Sequence, residues 1–294
     1  MKCYLCPRNC GVDRDHGELG FCRETNEIVA ARAALHFWEE PCISGEAGSG
    51  AVFFAGCNLQ CVFCQNASIA RAETGKTISA ERLADIFLEL QEKHALNINL
   101  VTPTHFVLPI IEALKISTAR GLEIPVVYNT SAYEKVATLK RLEGYVSVFL
   151  PDFKYLDADI SRKYSNAADY PGIAKAALQE MFRQVGKPVF DSNGRMEKGM
   201  IVRHLMLPGC LKDSKAVIKY LYETYGDDIF ISIMNQYTPL PQVKRFPELD
   251  RRISEQEYDQ LVDYAIALGV ENAFIQDGDT AAESFIPDFD NEGV

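Results

Sequence analysis

The feature that most limits what this chain can be is a run of three cysteines directly behind an apolar stretch. Gly56-Cys57-Asn58-Leu59-Gln60-Cys61-Val62-Phe63-Cys64 has the spacing C-x3-C-x2-C. Residues 51–55 read as a buried strand, so Cys57 opens the loop at its carboxyl end. Parallel α/β folds form their sites at such ends. Three thiolates on one short loop reach three corners of a cubane iron–sulfur cluster. The usual complement is four cysteines, so three leave one iron open to another ligand. A zinc ion would call for a fourth Cys or His at tetrahedral distance. Plain core cysteines are the alternative, but free thiols packed this densely are oxidation-prone without a metal.

Beyond the triad the chain alternates strand-like and helix-like segments. Strands are predicted at 97–101, 125–129, 146–150, 200–206 and 229–234, with a short extra one at 272–276. Helical patterns separate them at about 132–142, 170–186 and 211–225. Ser79 is placed to cap a helix with Leu83, Ile86, Phe87 and Leu90 on one face. A second helix ends near Gly121, and Ser254-Glu255-Gln256-Glu257 is a capping-box pattern for a last helix stopping near Gly269. This alternation predicts an α/β fold with a parallel sheet. About six units allow an open doubly wound sheet or a partial barrel, and periodicity does not choose between them. The division expected is a Cys-rich module over 1–50, an α/β body over 51–280 and a loose acidic tail over 281–294.

Residues 1–50 read as irregular and too short to bury a core of their own. Cys3, Cys6, Cys10 and Cys22 give C-x2-C-x3-C-x11-C, a second metal site. Zinc held by four thiolates and a second [4Fe-4S] cluster both fit. Zinc would staple the segment, whereas a cluster would relay electrons inward. Pro7 and Gly20 suit the tight turns around either. Cys42 and Cys210 stand apart and read first as ordinary buried thiols. The chain has nine cysteines and a net charge of -11. Thiols clustered this way point to metal ligation in a reducing cytoplasm rather than to disulfides. The acidic balance argues against nucleic acid and membrane surfaces as partners. No apolar stretch approaches the roughly 20 residues that span a bilayer, and the first residues carry no secretory-signal pattern.

The triad, with Phe63 before its last cysteine, resembles the radical S-adenosylmethionine (radical SAM) superfamily. Gly56-Cys57-Asn58-Leu59 and Phe63-Cys64-Gln65-Asn66 are similar to the glycyl-radical activating enzymes. The whole chain most resembles the pyruvate formate-lyase activating enzyme-related iron–sulfur proteins. The stretches that carry this are 3–10 (CYLCPRNC), 36–41 (HFWEEP), 99–105 (NLVTPTH), 150–155 (LPDFKY), 203–209 (RHLMLPG) and 234–239 (MNQYTP).

The resemblance implies a partial (β/α)6 TIM-like barrel and a [4Fe-4S] cluster held by Cys57, Cys61 and Cys64. The open iron would be chelated by the methionine end of S-adenosylmethionine. Reductive cleavage would give a 5′-deoxyadenosyl radical that abstracts hydrogen from a substrate. By position, Phe63 and Asn66 beside the triad, Thr102 and Thr104 after strand 97–101, Asn129 and Ser131 after strand 125–129, and Arg203 are the residues expected to meet this cofactor. Related enzymes carry Gly-Gly-Glu where Thr102 and Thr104 stand. No acid is present here, and His105 is the nearest substitute. Asp152 and Lys154 read equally as an ion pair, and Trp38 as a packing residue between module and barrel. Partners would be a protein or small-molecule substrate, a glycyl radical enzyme among them, and an electron donor such as ferredoxin or flavodoxin. A different class, an iron–sulfur electron carrier or metal-binding protein without radical chemistry, needs no α/β body of this size.

Overall fold

The computed structural model describes residues 2–276 and 287–294. Its frame is one sheet of ten strands: β1 Ile28–His36, β2 Ser49–Phe54, β3 Lys76–Ile78, β4 Ile98–Val101, β5 Val126–Thr130, β6 Val148–Pro151, β7 Val189–Phe190, β8 Met196–Leu205, β9 Phe230–Met234 and β10 Ala273–Ile275. The order is β10-β9-β8-β6-β5-β4-β2-β1-β3, with β7 hung on β8. Along that order every neighbouring pair from β2 to β10 is parallel, while β7 runs antiparallel to β8 and β1 antiparallel to both β2 and β3. The two ends do not pair, so the sheet is not closed. This is the α/β fold expected, in the unclosed form of a partial barrel.

Strands of a covered parallel sheet are buried on both faces and read as continuous apolar runs. All six residues of β2 and all four of β4 are buried. Crossover helices cover one face. The helix Ala80–Glu92 starts where Ser79 accepts the Arg82 amide, and it turns Leu83, Ile86, Phe87 and Leu90 into the core. The helix Glu255–Leu268 has the capping box its sequence predicts, Ser254 and Glu257 each accepting the other's amide. The other face is the lumen. Its floor is an apolar cluster of Ile43, Val127, Val148, Leu150, Met196 and Ile201, into which Cys42 packs.

Three parts differ from the sequence reading. Residues 28–36, read as irregular, form the nine-residue strand β1. The strand was hidden because its alanines and Arg32 carry weak β-patterning. The helix Ala158–Ser165 was not anticipated, although Asp157 caps it by accepting the amides of Asp159 and Ile160, and Asn166 ends it in the left-handed conformation. The tail is not loose over its described residues. The Ala33 amide donates to the Glu292 carbonyl, the Asn291 amide donates to Ala31, and Arg32 pairs with Asp290. The tail lies on β1 because β3 pairs only with residues 28–30 and leaves the backbone groups of the rest of that side to satisfy.

Candidate active site

The loop after β2 carries the triad, and Cys57, Cys61 and Cys64 all line one cavity of about 680 Å³. The loop is fixed by its own polar contacts. Cys57 Sγ accepts the amides of Leu59 at 3.3 Å and Gln60 at 3.5 Å. The Ser165 hydroxyl, at the end of the unforeseen helix, donates to Cys61 Sγ at 3.0 Å. Burial pushes the Cys61 thiol up to about 11 and the Cys64 thiol up to about 12. Such sulfurs become thiolates only when a cation supplies the missing charge. Among the described residues no three Cys, His, Asp or Glu side chains are gathered as a single bound ion would need. Three thiols from one loop facing one cavity fit an iron–sulfur cluster that keeps one iron open to another ligand.

The N-terminal segment is clamped onto this loop. Arg8 donates to the carbonyls of Asn58 at 2.7 Å, Asn166 at 2.6 Å and Ser165 at 3.1 Å, while its guanidinium lies 4.0 Å over the Phe21 ring. Arg14 donates to the His105 carbonyl at 2.7 Å, and Gln60 to the Phe21 carbonyl at 2.7 Å. Cys6 and Cys22 are buried, Cys3 is half-buried and Cys10 is exposed. Burial pushes Cys6 up to about 12 and Cys22 up to about 11. The Cys10 and Cys22 sulfurs both lie beside Gly20, but among the described residues no three of the four are gathered as one bound ion would need.

Of the residues expected around the cofactor, Phe63, Asn66, Thr102, Asn129, Ser131 and Arg203 line the cavity. Thr104 does not. It is buried behind β4, where its hydroxyl donates to Glu134 at 2.6 Å. His105 also turns away. Its Nε2 lies 2.6 Å from the Ala55 carbonyl, and burial pulls its pKa down to about 3. A neutral imidazole there donates from Nε2 and holds the end of β2. Thr102 keeps a left-handed backbone, φ 59°, which a β-branched residue adopts only under constraint from its surroundings.

Glu134 Oε1 also accepts the Thr130 hydroxyl at 2.6 Å, and Oε2 has no partner. Burial outweighs these hydrogen bonds and pushes the carboxyl up to about 7. A carboxyl raised in the folded state binds more protons folded than unfolded between its two pKa values, so stability falls as pH rises through that window. From pH 5.5 to 8 the Glu134 contribution is expected to fall by about 2 kcal/mol. Urea unfolding across that range checks this, with Glu134→Gln expected to lack this component of the slope.

Below the triad the lumen holds a charged layer. Arg203 is placed by the mid-strand register of β8, opposite Ser232 of β9. Its guanidinium donates to Asp152 at 3.0 Å, Glu39 at 2.8 Å and Asn129 at 2.7 Å. Lys154 pairs with Asp152 at 2.8 Å. Burial resists the Asp152 charge, but Lys154 and Arg203 outweigh it and hold the carboxyl below its ordinary range. Asp152 and Lys154 are thus an ion pair that also faces the cavity. Sequence reasoning assigned no site role to His36, Glu39, Glu40 or Ser232, which line the same cavity. The signal available was the 36–41 stretch within the resemblance. Trp38, expected to pack between module and barrel, is 64% exposed at the cavity instead, because β1 carries this stretch to the far end of β2, away from the module. Cys210 stands before the helix Leu211–Tyr225, and neither it nor Cys42 lines the cavity.

Comparison with known proteins agrees with this geometry. Residues 51–191 match the model of the Radical SAM superfamily. An uncharacterized protein of Methanocaldococcus jannaschii, MJ0674, is 29% identical over 273 residues, covering 90% of this chain and 74% of that protein. Among solved structures, Streptococcus suis SuiB bound to its precursor peptide SuiA superposes with a TM-score of 0.52 at 15% identity, over 76% of this chain and 47% of SuiB. SuiB bound to S-adenosylmethionine gives 0.51 at 16% identity, over 76% of this chain and 48% of SuiB. The chain spans about half the length of those structures, and at this identity they show a shared fold. No helix among the described residues is long and apolar enough to cross a membrane.

Proposed function

We propose that this chain cleaves S-adenosylmethionine reductively and directs the product radical at a substrate held in the barrel lumen. One observation carries the reading: within the Radical SAM segment, three thiols from one loop line a single cavity at the carboxyl end of an unclosed parallel sheet. When bound, the cluster and S-adenosylmethionine supply one-electron cleavage of a sulfonium bond and hydrogen abstraction by the adenosyl radical.

The protein's own residues do the rest. Cys57, Cys61 and Cys64 hold the cluster, and the Leu59 and Gln60 amides and the Ser165 hydroxyl donate to sulfur, which favours thiolate. Lys154 lies close enough to Cys61 to favour its charged form as well. Phe63, Asn66, Thr102, Asn129 and Ser131 offer one apolar wall and several hydrogen-bonding groups to the cofactor. Arg203 holds Asn129 in place from below. A cavity of about 680 Å³ lies within the range of small-ligand sites. It suits cofactor plus a small molecule, or one side chain of a peptide. SuiB, with its precursor peptide, is a fold relative that takes a peptide.

Finer readings rest on the sequence, by resemblance or by cysteine spacing. They are an activating-enzyme subtype acting on a glycyl radical protein, a second metal centre at Cys3, Cys6, Cys10 and Cys22 that relays electrons, a ferredoxin or flavodoxin as donor, and a cytoplasmic setting that keeps nine thiols reduced. The function itself is tested by 5′-deoxyadenosine. Reconstituted, reduced protein given S-adenosylmethionine is expected to form it, and Cys57→Ala to form none.

A further inference from the structure

Two adjacent glutamates enter the lumen, and their circumstances differ. Glu39 is saturated: Oε1 accepts from Asn99 at 2.8 Å and Asn129 at 3.3 Å, and Oε2 from Arg203. Glu40 is 8% exposed and lines the cavity, yet its Oε2 has no partner. Its one side-chain partner is Ser232. Among the described residues, the charges facing the lumen are Glu39, Glu40 and Asp152 against Arg203 and Lys154. Arg203 is engaged by Glu39 and Asp152, and Lys154 by Asp152. The Arg203 charge reaches Glu40 too, but among the described residues no cation hydrogen-bonds it and burial pushes its carboxyl up, so its charged form is costly unless a ligand cation completes it.

Its position separates it from the cofactor end. Residues 39 and 40 follow β1, whose His36 pairs with Ser49 at the start of β2, whereas the triad follows the other end of β2. The neighbours Arg203 and Ser232 lie two residues below the ends of β8 and β9, which is about 7 Å down the lumen. Glu40 therefore meets the cavity from the side opposite the cysteines.

Resting on the reading of the triad as the cofactor end, we infer that Glu40 docks a cationic nitrogen of the substrate, a primary ammonium or a group of like charge. The ammonium brings the lumen to three charges of each sign and gives Oε2 its missing donor. The far end of such a substrate points toward the triad. An anionic end is disfavoured by Glu39 and Glu40 together. His36 and Trp38 line the same cavity, and an indole face attracts a cation on its way in.

The probes are butylammonium chloride and 1-butanol, equal in length and different in charge. Each is titrated into the full chain, reconstituted with iron and sulfide, and followed by saturation-transfer NMR. Butylammonium is expected to bind about tenfold tighter than butanol. Glu40→Gln keeps the shape and an acceptor for Ser232, and is expected to erase that preference. Equal binding of the two probes by the wild-type protein overturns the inference without any variant, and so does a preference that survives in Glu40→Gln. Cys57→Ala removes a cluster ligand and leaves the lumen intact, so it is expected to keep the preference for the amine. An amine preference in a protein that forms no 5′-deoxyadenosine would leave the docking site standing while the radical reading fell. The reverse pattern would do the opposite.

Discussion

Arg203→Met is expected to destabilise the protein by about 3 to 5 kcal/mol, the range for removing one partner of a buried ion pair. The side chain of Arg203 is 13% exposed and that of Glu39 7%. Without the guanidinium, Glu39 keeps two amide donors but no cation, and Asp152 keeps only Lys154. Arg203 also donates to Asn129 Oδ1 at 2.7 Å, so the Asn129 side chain is freed at the same time. The strand itself survives, because Ile201 and Val202 on either face remain packed. Urea denaturation of both proteins measures the loss. Arg203→Lys is expected to recover only part of it, since one ammonium does not reproduce three directed bonds. A cost below about 1 kcal/mol, typical of a surface pair, would mean that water reaches the layer freely.

Gly56→Ala is the second large effect. Gly56 has φ +79°, and a Cβ there would lie 2.5 Å from Glu24 Cγ and 2.6 Å from the Cys22 carbonyl oxygen. The backbone penalty for an L-residue is about 1 to 2 kcal/mol, and the clash with a carbonyl adds overpacking strain of about 1 to 3 kcal/mol. A total of about 3 kcal/mol lowers the melting temperature by about 5 to 10 °C in a chain of this size. Relief comes most easily by lifting the N-terminal segment off the triad loop. The melting curve is therefore expected to shift together with increased protease cutting before residue 28. Unchanged melting would show that the segment around Cys22 yields at no cost.

The sequence made the frame legible because a covered parallel sheet writes long apolar runs, and because Ser79 and Ser254 announce their helices. It made the triad legible because three thiols so close have few uses besides a metal. The lumen was much harder to read. Arg203 and Glu39 are 164 residues apart, and only the curl of the sheet brings them within 2.8 Å. Glu40 carries no periodic signal, and its significance is an oxygen left over after its neighbours are satisfied. Thr104 and His105 stood at the right strand end and still faced the wrong way, because a short 3-10 turn, Thr104–Phe106, rolls them behind the sheet. Ser165 was missed with its helix, which is short and mostly polar.

The most direct measurement on the central claim is reductive cleavage under anaerobic conditions. The full chain is reconstituted with iron and sulfide, reduced, supplied with S-adenosylmethionine and assayed for 5′-deoxyadenosine, alongside Cys57→Ala, Cys61→Ala and Cys64→Ala. The expected result is product from the wild-type protein and none from any of the three variants. A wild-type protein that binds about four irons at the central site and yields no product, or a variant that yields as much as the wild type, would contradict it.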